Sequence, residues 1–244
     1  MGGCRSHTWT SGSARRSSRC SAASRTHSTL STSSTRTKSC PKPSTARRIA
    51  FNSPVQTPLT MNLLEGKKGI IFGALNDMSI AWKTAETVHR MGADIVLTNA
   101  PVAMRMGEIH KLAEQCGNAP VIPADATSME DLKALFEGAM EHFGGKVDFV
   151  LHSIGMSPNV RKGKHYTGLN YSYLDKTFDV SAISLHKTLQ TAMELDAINE
   201  WGSVVGLSYI AAQRTFPDYG DMADAKSLLE SIARSFGYHY GTQK

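Results

Sequence analysis

Cysteine is scarce in this chain, and three of its four cysteines (Cys4, Cys20 and Cys40) stand among the first 60 residues, leaving only Cys116 further on. No CxxC pair and no Cys/His cluster occurs, which excludes a disulfide framework and a zinc site and fits a reducing compartment. No run is long and apolar enough to span a membrane. Acidic residues are missing from residues 1–60, which carry ten Lys and Arg; the first acid is Glu65. Residues 61–244 hold 17 basic against 21 acidic residues, a net charge of −4, so the +6 of the whole chain belongs to its leading segment. That charge gives no argument for nucleic-acid or membrane binding by the remainder.

Residues 1–60 also lack hydrophobic periodicity. Stretches such as "SARRSSRCSAASRTHSTLSTSSTRTK" are Ser, Thr and Arg with little else. They cannot bury enough surface to offset ordering entropy, and are expected to be disordered and dispensable for stability. They contain no apolar core of a secretory signal. Two readings stand: a plastid transit peptide, or translated upstream sequence with the start at Met61 and a cytoplasmic protein. The folded pattern begins directly after Met61, which favours the second.

From Gly69 short apolar runs alternate with helical spacing. The strands are "GIIFG", "DIVLTN", "APVIPAD", "VDFVLHSIG" and "GSVVGLSY". Between and after them, "SIAWKTAETVHRMG", "MRMGEIHKLAEQCG", "SMEDLKALFEGAMEHFGG", "YLDKTFDVSAISLHKTLQTAMELDAI" and "DMADAKSLLESIARSFGYHYG" read as helices. Ser79 is a candidate cap for the first helix and Gly92 for its end. Ser128 with Asp131 resembles a capping box with Asp in place of Glu. Alternation of this length predicts βαβ units, a single α/β domain over residues 61–244 and a doubly wound parallel sheet of five strands.

In such sheets ligands bind at the carboxyl ends of the strands. The first strand ends "GALNDMSIAW", with Gly73 alone where a GxGxxG turn would stand and Ser79 placed to cap the next helix or bond a phosphate. The second ends at Asn99, Ala100 and Pro101, with no acid for an adenine ribose; Arg105 is either a partner for a 2′-phosphate or a solvated residue. Asp125 and Ala126 end the third strand. Ser153, Ile154 and Gly155 end the fourth, where His152 reads as a packed strand-end residue. Ser208 and Tyr209 end the fifth. Tyr219 then stands seven residues before Lys226, close to two helical turns, which would put phenol and ammonium on one face of a helix starting near Tyr219.

Taken together, "GALNDMSIA", "HSIG" and a Tyr and Lys with six residues between them resemble the short-chain dehydrogenase/reductase superfamily, and within it the enoyl-acyl-carrier-protein reductases. "GIIFGALNDMSIAWK" and "INEWGSVVGLSYIAAQR" resemble the bacterial, Bacteroidetes-like branch. The resemblance covers residues 62–244. It implies a Rossmann-type fold and reduction of a trans-2-enoyl thioester carried on acyl carrier protein, in type II fatty-acid synthesis. It implies NADH as cofactor, with NADPH as the alternative because Ala100 matches the family's adenine-ribose Gln. Cofactor contacts are implied for Gly73, Ser79, Ile80, Asp125, Ala126, Ser153, Ile154, Gly155 and Lys226. Tyr219 and Lys226 are implied as the catalytic pair with Tyr209 as the second tyrosine, and Ser157 and Met222 as lining the acyl pocket beside Tyr209 and Tyr219. No metal is expected. A homotetramer is implied.

Two alternatives stay open. A ketoreductase-type relative would use Ser208 but needs a Tyr four residues before Lys226, where Met222 stands. A non-catalytic nucleotide-binding relative would not need Tyr209, Tyr219 and Lys226. The loop "NVRKGKHY" offers Arg161, Lys162 and Lys164 to an acidic carrier, or is an ordinary solvated loop. The family pattern continues beyond "YHYGTQK" with a strand, a segment over the acyl pocket, a helix and a final strand. Without these last elements residues 61–244 are expected to be poorly soluble and inactive.

Overall fold

The chain's structure, a computed structural model, describes residues 62–105 and 107–242. The expectation for residues 1–60 lies outside the described residues. Strand β1 (Lys68–Phe72) is followed by helix α1 (Ile80–Arg90), strand β2 (Asp94–Thr98), and helices α2 (Pro101–Met104), α3 (Ile109–Gln115) and α4 (Met129–Phe143). Then come strand β3 (Val147–His152), helices α5 (Pro158–Arg161), α6 (Tyr171–Phe178) and α7 (Ser184–Glu194), strand β4 (Ile198–Gly206) and helix α8 (Gly220–Gly241). The sheet is parallel in the order β2-β1-β3-β4.

Side chains alternate across that sheet, as a period of two requires. Ile70, Phe72, Val96 and Val150 pack under Leu132, Leu135 and Phe136 of α4 on one face. Ile71, Ile95, Leu97 and Leu151 pack under Trp82 and Ala85 of α1 and Leu112 of α3 on the other. Helices α7 and α8 share a third apolar cluster through Leu185, Leu189, Leu229 and Ile232. With both faces covered, the Rossmann-type architecture expected from the alternation is what the chain adopts.

The helix signals map onto real caps. Ser79 Oγ accepts from the Trp82 amide at the start of α1. At its end Gly92 sits at φ +94°, and Ala93 N donates to Val88 O while Gly92 N donates to His89 O, closing the helix in the Schellman pattern. Ser128 Oγ accepts from the Asp131 amide at the start of α4. Asp131 does not complete the box: its carboxyl accepts from the Asp125 amide instead, 2.9 Å away, because Asp is one methylene shorter than the usual Glu.

Three expectations need correction. The third of the five expected strands is not a full strand. Residues 120–124 run beside β2, with Leu97 N donating to Pro120 O and Ile122 N to Leu97 O, but form only the bridge Leu97–Val121. Pro120 lacks the N–H that would extend the pairing back along β2, whereas Pro123 stands between Ile122 and Ala124, whose amides donate to Leu97 O and Asn99 O, so its missing N–H faces the outer edge. The helix expected over residues 104–117 is two helices, α2 and α3, with Gly107 between them, where a Cβ would lie 2.6 Å from Leu75 O. The long helical stretch over residues 173–198 is α6, a π-helical turn at Asp179–Ile183, and α7, and it stops at Glu194 so that Ile198 opens β4. Strand β4 slips register against β3 between Ile198 and Ser203, where Trp201 takes φ +63°.

Candidate active site

The ends of β1 and β3 meet at a contact only glycine permits. Gly73 has φ +87°, and a Cβ there would lie 2.0 Å from the Ser153 carbonyl oxygen. Its own N–H donates to Thr98 O at the end of β2. The chain then crosses to α1 through a loop fastened by Asn76, whose Oδ1 accepts from Met78 N. Ser79 Oγ donates to Asn76 O at 2.8 Å. The hydroxyl proton of Ser79 is therefore engaged within the loop, while the first amides of α1 lack intrahelical partners, as at any helix N-terminus. Ile80, the first residue of that turn, is exposed.

Lys226 closes the other side. It lies two turns into α8, is buried, and donates from Nζ to Ile154 O at 3.1 Å and to Leu207 O at 2.7 Å. One ammonium cation thus joins the ends of β3 and β4, and the third of its N–H donors is left for another acceptor. Burial pushes its pKa down to about 8. Gly155 passes directly over it: a Cβ at Gly155 would touch Lys226 Nζ and Met222 Cε at 3.7 and 3.8 Å.

Tyr219 is the residue just before α8. Its ring stacks on Tyr209, with centroids 4.4 Å apart and planes at 29°, and Tyr209 also meets Phe216. Burial raises the Tyr219 pKa, with Tyr209 adding to the effect, so its phenol is held protonated as a donor. Helix α8 begins next to Tyr219, and of its residues Lys226 and Met222 lie against the 154–155 peptide.

Not every candidate residue joins this cluster. Asp125 binds Thr127 N and Oγ1 through its own Oδ1, and the Ala126 side chain is packed in the core under α4. Neither bonds to the other strand-end residues. Ser157 is buried, accepts from Val160 N to cap α5 and donates to Asp221 Oδ1 at 2.6 Å, so its hydroxyl proton is engaged with that carboxylate. His152 is buried, and burial, helped by the positive charge of Lys226, lowers its pKa to about 3. Ser184 gives its proton to Val180 O, so His152 Nε2 is the donor in the 2.9 Å contact between them. His152 is thus a neutral packing residue, as its position suggested. A cavity of about 740 Å³ lies elsewhere, along β4 between Ile198, Phe236 and Tyr240, and contains none of the tyrosine–lysine cluster.

Sequence reasoning missed the part played by two sets of residues. Asn99 donates from Nδ2 to Ala74 O and fastens the β1 loop to β2. Asp221 gathers Ser157, Asn159 and Thr177 beneath the start of α8. The one available signal was an Asp in the first turn of a helix with no capping side chain before it.

A sequence model described as Enoyl-(Acyl carrier protein) reductase matches residues 73–244. The chain belongs to the enoyl-acyl-carrier-protein reductase family. It is 32% identical over 181 residues to "Enoyl-[acyl-carrier-protein] reductase [NADH] 1" of Rhizobium meliloti, covering 74% of this chain and 65% of that protein. It is 34% identical over 177 residues to the reductase FabI of Rickettsia bellii, covering 72% of this chain and 66% of that one. The chain therefore spans slightly less than two thirds of these relatives' length. The crystal structure of the FabI–NADH complex from Alistipes finegoldii is similar at 68% identity and a TM-score of 0.73, covering 75% of this chain and 64% of that one. An enoyl reductase of Anaplasma phagocytophilum in complex with NAD is similar at 28% identity and a TM-score of 0.68.

Proposed function

We propose that this chain carries the nucleotide-binding and catalytic centre of an NADH-dependent reductase acting on trans-2-enoyl thioesters of acyl carrier protein. One observation carries the reading: a buried ammonium clamped between two strand ends, on the helix that starts directly after a tyrosine stacked on a second tyrosine. A nicotinamide dinucleotide fits this setting on two features. Gly73 leaves the β1–β3 crossing free of side chains beside a helix N-terminus, and Lys226 keeps a donor to spare. Gly73, Ser79, Ile80, Ser153, Ile154, Gly155 and Lys226 would hold it, with Asp125 and Ala126 at the adenine end. When bound, the nicotinamide supplies a hydride to the β-carbon of the enoyl group.

The chain's own groups then act on the charge that results. As negative charge develops on the thioester oxygen, the Tyr219 phenol donates a hydrogen bond to it, an interaction that matters most in the transition state. Tyr209 fixes the Tyr219 ring by stacking and lines the acyl side with Met222. Lys226 binds ribose hydroxyls and keeps the local potential positive. Ser157 supports this pocket through backbone position, since its hydroxyl is engaged with Asp221.

The same reading carries a homotetrameric, cytoplasmic enzyme, and a carrier protein met by the exposed basic loop of Arg161, Lys162 and Lys164. Of these, Lys162 already lies over the Tyr173 ring and bonds its hydroxyl. Against a ketoreductase, Ser208 donates to Glu230 Oε1 at 2.7 Å rather than toward Tyr219. The test is a complete family chain containing these residues, assayed with NADH, NADPH and crotonyl thioester. Steady nucleotide oxidation supports the reading. Nucleotide binding with no turnover of enoyl thioesters, or turnover only of a 3-keto thioester, overturns it.

A further inference from the structure

Asp221 is fully buried in the first turn of α8, and no part of the proposed chemistry uses it. Its carboxyl is met by three polar side chains from two other parts of the chain. Ser157 Oγ donates to Oδ1 at 2.6 Å, Asn159 Nδ2 donates to Oδ2 at 2.8 Å, and Thr177 Oγ1 of α6 lies 2.9 Å from Oδ2. Each of these is anchored in turn. Ser157 caps α5. Asn159 bonds Asn170 twice, through Nδ2 to its carbonyl oxygen and through Oδ1 from its amide, and Asn170 caps α6. Two residues before Ser157 is Gly155, and between them Met156 is pinned by the Ser181 hydroxyl, which accepts from its N–H and donates to its carbonyl.

The backbone next to Asp221 needs such an anchor. Helix α8 starts without a side-chain cap, and Gly220, between Tyr219 and Asp221, is in the left-handed region at φ +49°. A glycine there leaves the Tyr219 backbone free to pivot unless something fixes the next residue. Helix α8 is thus tied to the 154–159 segment twice: by Lys226 two turns in, and by Asp221 in its first turn. Lys226 lies beside the peptide assigned to the nucleotide, whereas Asp221 lies beside Tyr219.

We infer that Asp221 is a positioning residue, whose buried carboxyl, held by Ser157, Asn159 and Thr177, fixes the start of α8 and thereby the direction of the Tyr219 phenol. The inference rests on the role proposed for Tyr219, but its geometric part can be measured separately. The Asp221→Asn variant keeps the shape but leaves one oxygen where two accepted, so its NH2 must face either Asn159 Nδ2 or Ser157 Oγ, both donors to Asp221. Exchanging the pair, Asn159→Asp with Asp221→Asn, restores one donor and one acceptor between the two, but gives up the bond from Asn159 Nδ2 to Asn170 O.

The experiment places 3-fluorotyrosine at position 219 in the full chain and records its fluorine resonance in the parent, D221N, N159D/D221N and S157A. It also measures nucleotide affinity and turnover in a complete family chain carrying the same changes. D221N is expected to move or broaden the resonance and to lower kcat about tenfold or more, with nucleotide Kd changed less than about threefold. The exchanged pair should regain part of both, and S157A should show the same signs with a smaller loss. An unmoved resonance in D221N, or an equal loss of kcat and nucleotide affinity, overturns the inference. Should D221N not fold, S157A decides by the same criteria. If the parent reduces no enoyl thioester, the functional proposal has failed, and the resonance alone still decides whether Asp221 positions Tyr219.

Discussion

The end of β1 and the start of α8 close on the same short peptide, Ser153 to Gly155, and are built in opposite ways. At β1 the site is made by the absence of side chains: Gly73 lets two strand ends touch, and the bonds are largely backbone. At α8 it is made of buried polar side chains, Lys226 on one tie and Asp221 on the other. The first kind of site tolerates no addition. The second tolerates changes in size better than changes in hydrogen bonding, because a buried polar group left without a partner costs more than a methyl group moved. Substitutions should therefore fail by different routes on the two sides.

The largest effect is expected at Gly73. Gly73→Ala would force a Cβ into the Ser153 carbonyl and hold a non-glycine residue at φ +87°. A loss of about 3 kcal/mol is expected, or roughly 6–12 °C in thermal midpoint for a domain of this size. A midpoint within about 2 °C of the parent would remove the distinction between the two sides.

Lys226→Met comes next and acts through pH. The folded pKa of Lys226 is about 8, against 10.5 for the unperturbed side chain. Between these values the unfolded chain keeps a proton that the folded chain has released, so raising the pH through this window favours the folded form. Urea midpoints of the nucleotide-free chain should include a stabilising contribution from this group between about pH 8 and 10.5, of at most about 3 kcal/mol. In K226M that contribution should vanish. Identical pH profiles for the two proteins would show that Lys226 is not held as described.

Gly155→Ala should have the smallest effect on stability, below about 1 kcal/mol, because the added methyl meets Lys226 and Met222 at ordinary contact distance. Its effect should appear in nucleotide affinity, severalfold weaker by fluorescence titration. A stability loss as large as that of Gly73→Ala would mean the 153–155 peptide is packed more tightly than its geometry indicates.

The same contrast explains what could be read from the sequence. Gly73, Ser79, Gly92 and the apolar periodicity act through local rules, so their roles were legible one at a time. Residues 120–125 were apolar enough for a strand, yet Pro120 removes a donor from the pairing with β2, and composition outweighed that signal. The start of a helix beside Tyr219 was legible in the sequence; the carbonyls of Ile154 and Leu207 that Lys226 reaches from it were not. Asp221 was not: Ser157, Asn159 and Thr177 lie 64, 62 and 44 residues away in sequence, and only the fold brings them together. The π-helical turn that carries Ser181 to Met156 was hidden for the same reason.

The most direct test of the account is Tyr219→Phe in a complete family chain, with turnover of an enoyl thioester and nucleotide Kd measured on the same preparation. The phenol is assigned to charge that exists mainly in the transition state, so kcat should fall about 100-fold while Kd changes less than about twofold. Equal loss of turnover and nucleotide affinity, or unchanged turnover, would contradict the role given to Tyr219 and with it the mechanism built on this helix.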